Sequence, residues 1–278
     1  MKTAFGRSAR AAPAKGAGKD IWRMARFVGL LFLAALLLRS LIVTPFNIPS
    51  GSMLPRMMIG DYLLVAKWPY GYSRFSFPFG LAPFGGRIMG SLPERGDVVV
   101  FRYPGSDQDY VKRVIGLPGD TIALKGGQVI LNGDPLPRHR IADFLMPRSP
   151  NSPCRFVDES RKREVTGESG ETFCAYPRYR EILPGGRSHE VIDQAAIAGD
   201  DSAPMLVPPH HLFVMGDNRD DSMDSRYSRA EQGVGMLPLE NVVGRALVTF
   251  FSTDGSAELV KPWTWLSAAR WDRIGKSY

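Results

Sequence analysis

An apolar segment near the start of the chain limits what the sequence can fold into more than any other feature. Residues 27–38 are twelve consecutive apolar residues, which is short of the roughly 20 that a membrane-spanning helix needs. Counted over residues 25–43 the segment is long enough, because Arg26 and Arg39 near its ends can extend their charged groups toward water. We therefore expect a transmembrane anchor over residues 27–44.

A cleavable signal peptide, or a helix buried within a folded domain, would also account for this segment. A signal peptide would be followed within a few residues by a small-x-small cleavage site, and none follows Leu38. Pro45 and Pro49 would end any helix formed by this segment. The sequence therefore favours an anchor that stays attached.

Positive charge is concentrated ahead of the apolar segment. The chain has a formal net charge of +7, and residues 1–26 hold seven basic side chains against Asp20 alone. An excess of Lys and Arg before an anchor predicts a cytoplasmic N-terminus, so we expect a basic cytoplasmic tail over residues 1–26 and a folded domain across the membrane. Nucleic acid is not an expected partner, because these basic residues lie in the tail and not on the folded domain.

The rest of the chain has the pattern of short β-strands. Residues 62–67 and 242–251 are apolar runs of the length of buried strands. No stretch of this part before the C-terminus has a convincing helical period. We therefore expect a β-rich domain over residues 45–256, in which the polar residues 138–205 form an accessory insertion with some strands.

Two serines follow the apolar segment directly. Residues 48–61 read Ile-Pro-Ser-Gly-Ser-Met-Leu-Pro-Arg-Met-Met-Ile-Gly-Asp, with Ser50 and Ser52 on either side of Gly51. A serine hydroxyl is a weak nucleophile at neutral pH and needs a neighbouring base. Lys112, on the second arm of a predicted hairpin, supplies that base if burial lowers its pKa far enough to populate the neutral amine. Ordinary turn serines and a solvated lysine at a strand edge are the alternatives.

Three stretches taken together resemble the type I signal peptidase family of bacteria. They are residues 48–61, residues 110–120 and the stretch Gly-Asp-Asn-Arg-Asp-Asp-Ser-Met-Asp-Ser-Arg over residues 216–226, in the order that this family has them. The family consists of membrane-anchored serine proteases with a Ser-Lys dyad. The resemblance implies a mainly β catalytic domain, a signal-peptidase-like β-barrel or sheet, on the periplasmic side of a bacterial inner membrane. The expected partners are preprotein signal peptides and the lipid bilayer, and neither a cofactor nor a metal is expected.

The resemblance also implies a role for each matching residue. Ser52 is the expected nucleophile and Lys112 the general base, while the Ser52 N–H and the Ser50 hydroxyl stabilise the oxyanion and Ser222 orients the lysine amine. The residues expected to line the binding cleft, where small side chains one and three places before the cut are accepted, are Ile48, Pro49, Met53, Met57, Tyr110 and Val111. A scaffold of ion pairs around the site is expected from Asp217, Arg219, Asp224 and Arg226.

The sequence departs from the family pattern at two positions and leaves rival functions open. Arg56 and Asp221 stand where the family usually has threonine and asparagine. A Ser-His-Asp triad is one rival, because triads are defined by geometry and four histidines are present: His139, His189, His210 and His211. A specialised peptidase for one dedicated precursor is a second rival, and a membrane-tethered binding domain without catalysis is a third.

Cysteines and aromatic residues give three further expectations. Cys154 and Cys174 are the only cysteines, and outside the cytoplasm they are free to form a disulfide, with two free thiols as the alternative. The alternating Phe75, Phe77 and Phe79 predict a strand or hairpin with three rings on one face, which packs either on the domain or against the membrane. Residues 257–278, with Trp263, Trp265 and Trp271, predict an amphipathic helix that lies at a membrane surface or packs on the domain.

Overall fold

The computed structural model describes residues 17–77, 84–158, 160, 163–258 and 260–278. Most of the predicted cytoplasmic tail and Phe79 lie outside these residues. The chain forms two compact units, Met1–Arg39 and Ser40–Tyr278.

A single long helix, α1, occupies Ala17–Leu37 in the first unit and is followed by one π-helical turn over Leu38–Ile42. Within the described residues, Lys19–Ile42 is long and apolar enough to cross a membrane. The helix begins about ten residues earlier than the predicted anchor. Lys and Arg are good helix formers, so the apolar run marks the membrane-compatible part of the helix but not its first turn.

The second unit is mainly β, which confirms the predicted fold class. Its strands are β1 Val43–Asn47, β2 Asp61–Ala66, β3 Tyr72–Ser73, β4 Arg87–Ile88, β5 Val98–Arg102, β6 Asp109–Gly116, β7 Thr121–Lys125, β8 Gln128–Leu131, β9 Asp134–Pro135, β10 Arg138–Pro147, β11 Glu164–Thr166, β12 Thr172–Ile182, β13 Ser188–Ile192, β14 Ser202–Leu206, β15 His211–Met215, β16 Leu237–Pro238 and β17 Val242–Ser252. A second short helix, α2, spans Trp263–Ala268. The 3-10 turns are Trp68–Tyr70, Arg74–Ser76, Ala198–Asp200, Arg219–Asp221, Arg229–Glu231, Leu239–Asn241 and Trp271–Arg273.

A seven-stranded antiparallel sheet forms the centre of this unit, in the order β1-β2-β17-β5-β6-β15-β16. Both of its faces are buried, as β5 illustrates. Val98 and Val100 pack into one apolar cluster, whereas Val99 and Phe101 pack into another. Because strand side chains alternate between faces, a slip of one residue in this strand would exchange the two sets. The packing therefore fixes the register of the strand that pairs with it, β6.

The accessory insertion differs from its predicted bounds. Strands β10, β11, β12 and β13 form a four-stranded sheet of their own, but β14 pairs with β7 in a second four-stranded sheet, β14-β7-β8-β9. A fourth sheet, of two strands, joins β3 and β4. The chain thus returns to the β7–β8 hairpin before residue 205, which a composition boundary does not reveal.

The aromatic stripe does not form a strand over its described part. Residues Arg74–Ser76 make a 3-10 turn, because the Ser73 hydroxyl accepts the Phe75 N–H and the Ser76 hydroxyl accepts the Ser73 N–H. Phe75 packs against the core, and the Phe77 ring lies 5.9 Å from that of Phe84. Two local side-chain hydrogen bonds therefore override the two-residue period.

The C-terminal segment is not one amphipathic helix. Among its described residues only α2 is α-helical, and Ala269 and Ser277 form β-bridges with Thr253 and Val248. Arg273 donates from Nε to Oδ1 of Asp61 at 2.8 Å, and Tyr278 packs on the core. The segment therefore packs on the domain from Ala268 onward, while Trp263, Trp265 and Trp271 remain exposed.

Candidate active site

The β5–β6 hairpin holds Lys112 in the interior, directly opposite Val99. Its side chain is 4% exposed, and Nζ donates hydrogen bonds to Ser52 Oγ at 2.7 Å and to the Val111 carbonyl at 3.1 Å. Burial lowers the pKa of Lys112 from 10.5 to about 8, although nearby carboxylates, Asp224 first among them, oppose the shift. A substantial fraction of this amine is therefore neutral near physiological pH.

Ser52 lies in a compact turn that the 216–226 motif supports. Asn218 donates its backbone N–H to the Ser52 carbonyl at 3.0 Å and its side-chain amide to the Gly51 carbonyl at 3.2 Å. Below the turn, Leu54 packs with Tyr176 of the accessory sheet. Ser52 is thereby held from two sides, with 8% of its surface exposed.

Gly216 permits the close approach of these two motifs. A Cβ at this position would lie within 3 Å of both the Ser222 hydroxyl and the Ser52 carbonyl oxygen. Any side chain here would displace the serine turn, so the position requires glycine.

Ser222 makes no hydrogen bond to Lys112 among the described residues, although the resemblance implied that it orients the lysine amine. Its hydroxyl donates to Asp224 Oδ2 at 2.8 Å, and Asp224 also accepts the Gly216 N–H at 3.0 Å. Among the hydrogen bonds of the described chain, Lys112 is bound by Ser52 and Val111 and not by Ser222. The side chain of Ser222 thus acts on Asp224, because that carboxylate lies two residues away on the same turn.

Of the four residues predicted to form an ion-pair scaffold, only two pair with each other. Asp224 pairs with Arg226, whose Nε lies 2.9 Å from Oδ1. Burial alone would raise the pKa of Asp224, but Arg226 holds it below its ordinary value. Asp224 and Arg226 thus form an ion pair within the motif, as the alternating charges of the motif predict.

The remaining two members of the predicted scaffold pair with residues that the sequence did not single out. Asp217 accepts two hydrogen bonds from Arg113, at 2.7 and 2.6 Å, and Arg219 donates to Glu181 at 2.7 Å. These pairs tie the motif to β6 and to the accessory sheet. Adjacency to Lys112 was the only sequence signal for Arg113, and Glu181 had none.

A cleft of about 680 Å³ opens beside Ser52 and Lys112. Of the residues expected to bind substrate, it is lined by Ile48, Pro49, Met53, Tyr110 and Val111, and Ser50 also lines it. Residues at the cleft that were not predicted to bind substrate are Phe46, Asn47, Gln108, Asp109, Asp221 and Met223. Most of the lining is apolar, which suits small aliphatic side chains.

Met57 does not line the cleft. It is fully buried in the core cluster that contains Leu63 and Val65. Its backbone N–H donates to the Met53 carbonyl at 2.9 Å, so Met57 lies one turn beyond Met53 and beneath it. Met53 belongs to the same core cluster but also lines the cleft, so of the two methionines only Met57 is confined to the core.

No histidine is among the residues that line the cleft. His189 is buried elsewhere, with Nε2 at 3.3 Å from the Glu181 carboxylate, and burial lowers its pKa. The geometry at Ser52 therefore does not support a Ser-His-Asp triad in the described chain.

One group of acidic residues has the spacing of a metal site within the described residues: Asp193, Asp200 and Asp220. Arg138 donates to Asp193, and Arg226 lies 4.0 Å from Asp200, so basic side chains already offset part of this charge. None of the three carboxylates lines the cleft.

A disulfide joins Cys154 and Cys174, whose Cα atoms are 5.4 Å apart. Cys174 is fully buried next to Tyr176, in the cluster that also contains Leu54 and Met58 of the serine turn. The bridge therefore lies in the layer that supports the turn from below.

Comparison with known proteins gives concordant matches. The family model described as "Signal peptidase, peptidase S26" matches residues 21–251. A signal peptidase I of Rickettsia canadensis is 34% identical over 274 residues, covering 91% of each chain, and one of Rickettsia typhi is 33% identical over 264 residues, covering 87% of this chain and 88% of that one. A crystal structure of a signal peptidase I from Enterococcus faecalis is 25% identical and covers 56% of this chain and 97% of its own, with a TM-score of 0.29.

Proposed function

This chain belongs to the signal peptidase family, peptidase S26, and from that membership we propose a membrane-anchored endopeptidase that cleaves preproteins after small-x-small sites with Ser52 and Lys112 as its dyad. Removal of signal peptides by a serine peptidase is the activity of this family. The observation that supports the dyad is the 2.7 Å separation between the Lys112 amine and the Ser52 hydroxyl in a buried setting.

Acylation begins with a proton transfer along this hydrogen bond. The neutral amine of Lys112 takes the proton of the Ser52 hydroxyl as Oγ attacks the carbonyl carbon of the scissile peptide. The resulting ammonium then gives that proton to the leaving amine, and the acyl group stays on Ser52. A water molecule, deprotonated by the same lysine, hydrolyses the ester and restores both side chains.

Negative charge that develops on the carbonyl oxygen needs hydrogen-bond donors. The Ser52 N–H has no acceptor among the described residues, and the Ser50 hydroxyl is exposed at the cleft without a partner there. We assign both donors to the oxyanion, where loss of one such donor costs about a hundredfold or more in kcat.

Selectivity for small side chains follows from the apolar walls of the cleft. Ile48 and Val111 are both largely buried, so little space remains between them and the serine turn. An extended peptide directs its residues one and three places before the cut to the same side. A bulky side chain at either place would have to displace packed core residues.

The proposed location is a bacterial inner membrane, with α1 as anchor and the β unit in the periplasm. Lys19, Arg23 and Arg26 precede the apolar part of α1, and the excess of basic residues there favours a cytoplasmic N-terminus. The Cys154–Cys174 disulfide suits an oxidising compartment. Protease added to intact spheroplasts is expected to digest the β unit, and full protection would refute the orientation.

Cleavage of a model preprotein with an Ala-x-Ala site tests the activity and the dyad together. The cut, read from the mass of the product, is expected to fall immediately after the second alanine. Ser52→Ala and Lys112→Met are each expected to lower the rate by at least about a hundredfold with no loss of thermal stability.

A matched variant separates loss of the dyad from loss of a positive charge. Lys125 is exposed on β7, outside the cleft, so Lys125→Met removes a lysine without touching the site. It is expected to cleave at the rate of the unmodified protein. Retained cleavage in Ser52→Ala or Lys112→Met would reject the dyad, and a product cut elsewhere would reject the small-x-small site.

A further inference from the structure

Asp221 brings a carboxylate to the wall of the cleft. It lines the same cleft as Ser52 and Lys112 and is partly buried there. A Cβ placed on Gly51 would lie 3.2 Å from Asp221 Oδ2, so the carboxylate borders the residue immediately before Ser52. Any peptide whose carbonyl reaches Ser52 must therefore pass within a few ångströms of this charge.

The charge of Asp221 has no close counter-ion. Of the two acidic residues at the cleft, Asp109 is paired with Arg102 at 2.7 Å, whereas the Asp221 carboxylate makes no hydrogen bond or ion pair within the described chain. Burial raises the pKa of Asp221, and the more distant charges of Arg155 and Lys112 oppose that rise. When Lys112 is neutral, as the proposed function requires, its contribution disappears, and only the more distant charge of Arg155 still offsets the negative charge at the cleft.

Peptide geometry limits which substrate side chains can sense this charge. Successive side chains of an extended peptide point to opposite sides. If the residues one and three places before the cut point to the apolar wall, the second residue before the cut and the first residue after it point away from that wall. These two side chains do not enter the apolar wall, so they are the ones at which Asp221 can discriminate.

We propose that Asp221 is a specificity-determining residue, which makes the cleft favour preproteins with a basic side chain, and disfavour those with an acidic one, at the second position before the cut and at the first position after it. The proposal rests on the proposed function and adds to it a preference for charge. A unit charge about 6–8 Å away across partly solvated space changes the binding of another by about threefold to tenfold. Because Asp221 strengthens binding of a lysine side chain by about the factor by which it weakens binding of a glutamate side chain, kcat/KM for a Lys peptide is expected to exceed that for the matching Glu peptide by about tenfold or more.

The test uses peptides with an Ala-x-Ala site that carry Lys, Gln or Glu at one of the two positions. They are cleaved at about pH 8 and low salt by the unmodified protein and by Asp221→Asn, Asp221→Glu and Asp134→Asn. Asp134 is exposed at the end of the β8–β9 turn, so its variant changes the net charge equally but far from the cleft. The Lys-to-Glu ratio of kcat/KM is expected to fall to about threefold or less in Asp221→Asn, and to persist in Asp221→Glu and Asp134→Asn.

Salt provides a second measurement that needs no variant. The ratio in the unmodified protein is expected to shrink as ionic strength rises from about 0.01 M to about 0.5 M, because the screening length becomes shorter than the separation of the charges. The inference is overturned if the Lys-to-Glu ratio of kcat/KM in Asp221→Asn equals that of the unmodified protein, or if Asp134→Asn lowers this ratio as much as Asp221→Asn does. It is also overturned if the ratio in the unmodified protein does not change with salt. Those results leave the Gln peptides cleaved; absence of cleavage of every peptide would instead overturn the proposed function on which the inference rests.

Discussion

The base strength of Lys112 predicts how cleavage depends on pH. Burial lowers the pKa of its amine to about 8, so about one-tenth of it is neutral at pH 7 and about nine-tenths at pH 9. Only the neutral amine can take the proton of Ser52. We therefore expect kcat/KM to rise about tenfold between pH 7 and pH 9 and to level off above that.

The assay is the cleavage of an uncharged Ala-x-Ala peptide, which does not itself titrate in this range. A lysine with an ordinary pKa of about 10.4 would give a rise of nearly a hundredfold over the same interval, with no plateau. His189 does not account for the expected profile, because burial lowers its pKa from 6.5 and so moves its titration below this range. A flat profile, or one that still rises steeply beyond about pH 9.5, would refute a buried lysine as the base.

Three further predictions concern stability and the position of individual side chains. Lys112→Met is expected to raise the free energy of unfolding at pH 7 by about 1–3 kcal/mol, because folding lowers the pKa of Lys112 and a charged lysine therefore destabilises the native state. This destabilisation is complete below about pH 8 and fades between about pH 8 and pH 10.5. Urea unfolding at pH 7 and pH 10 checks this, and equal stability of both proteins at pH 7 would contradict it. Asp217→Ala leaves Arg113 buried without its carboxylate and is expected to cost about 3–5 kcal/mol in the same assay, whereas a loss below about 1 kcal/mol would contradict the pairing. Met57→Ala is expected to cost about 2–5 kcal/mol through the cavity it leaves while preserving the preference for small side chains before the cut, and a relaxed preference would return Met57 to the cleft.

Local sequence patterns predicted the β-hairpin, whereas the family resemblance predicted the residues that meet at the cleft. The hairpin that presents Lys112 follows from two β-forming runs around a polar turn at residues 105–109, and the register Val99 with Lys112 is what a short turn allows. Ser52, by contrast, could be matched to Lys112 only through the family resemblance, because the 2.7 Å contact joins residues 60 positions apart. The spacing of residues along the chain carries no information about that distance.

Contacts between residues that are distant in the sequence account for the predictions that were wrong. The aromatic and basic residues of the C-terminal segment suit an amphipathic helix, yet Arg273 pairs with Asp61 and the segment forms bridges to β17 instead. Similarly, Met53 and Met57 look alike in sequence and both pack in the core cluster with Leu63 and Val65, and only the folded turn shows that Met53 also reaches the cleft. Such outcomes depend on tertiary contacts that override local preference.

Trapping of the acyl group tests the central claim most directly. The protein is exposed at about pH 8 to a small acylating inhibitor directed at serine, and the modified peptide is identified by mass spectrometry. The proposed dyad predicts one adduct, on Ser52, formed at least about a hundredfold more slowly in Lys112→Met. An adduct on another residue, or equal rates of labelling in the two proteins, would contradict it.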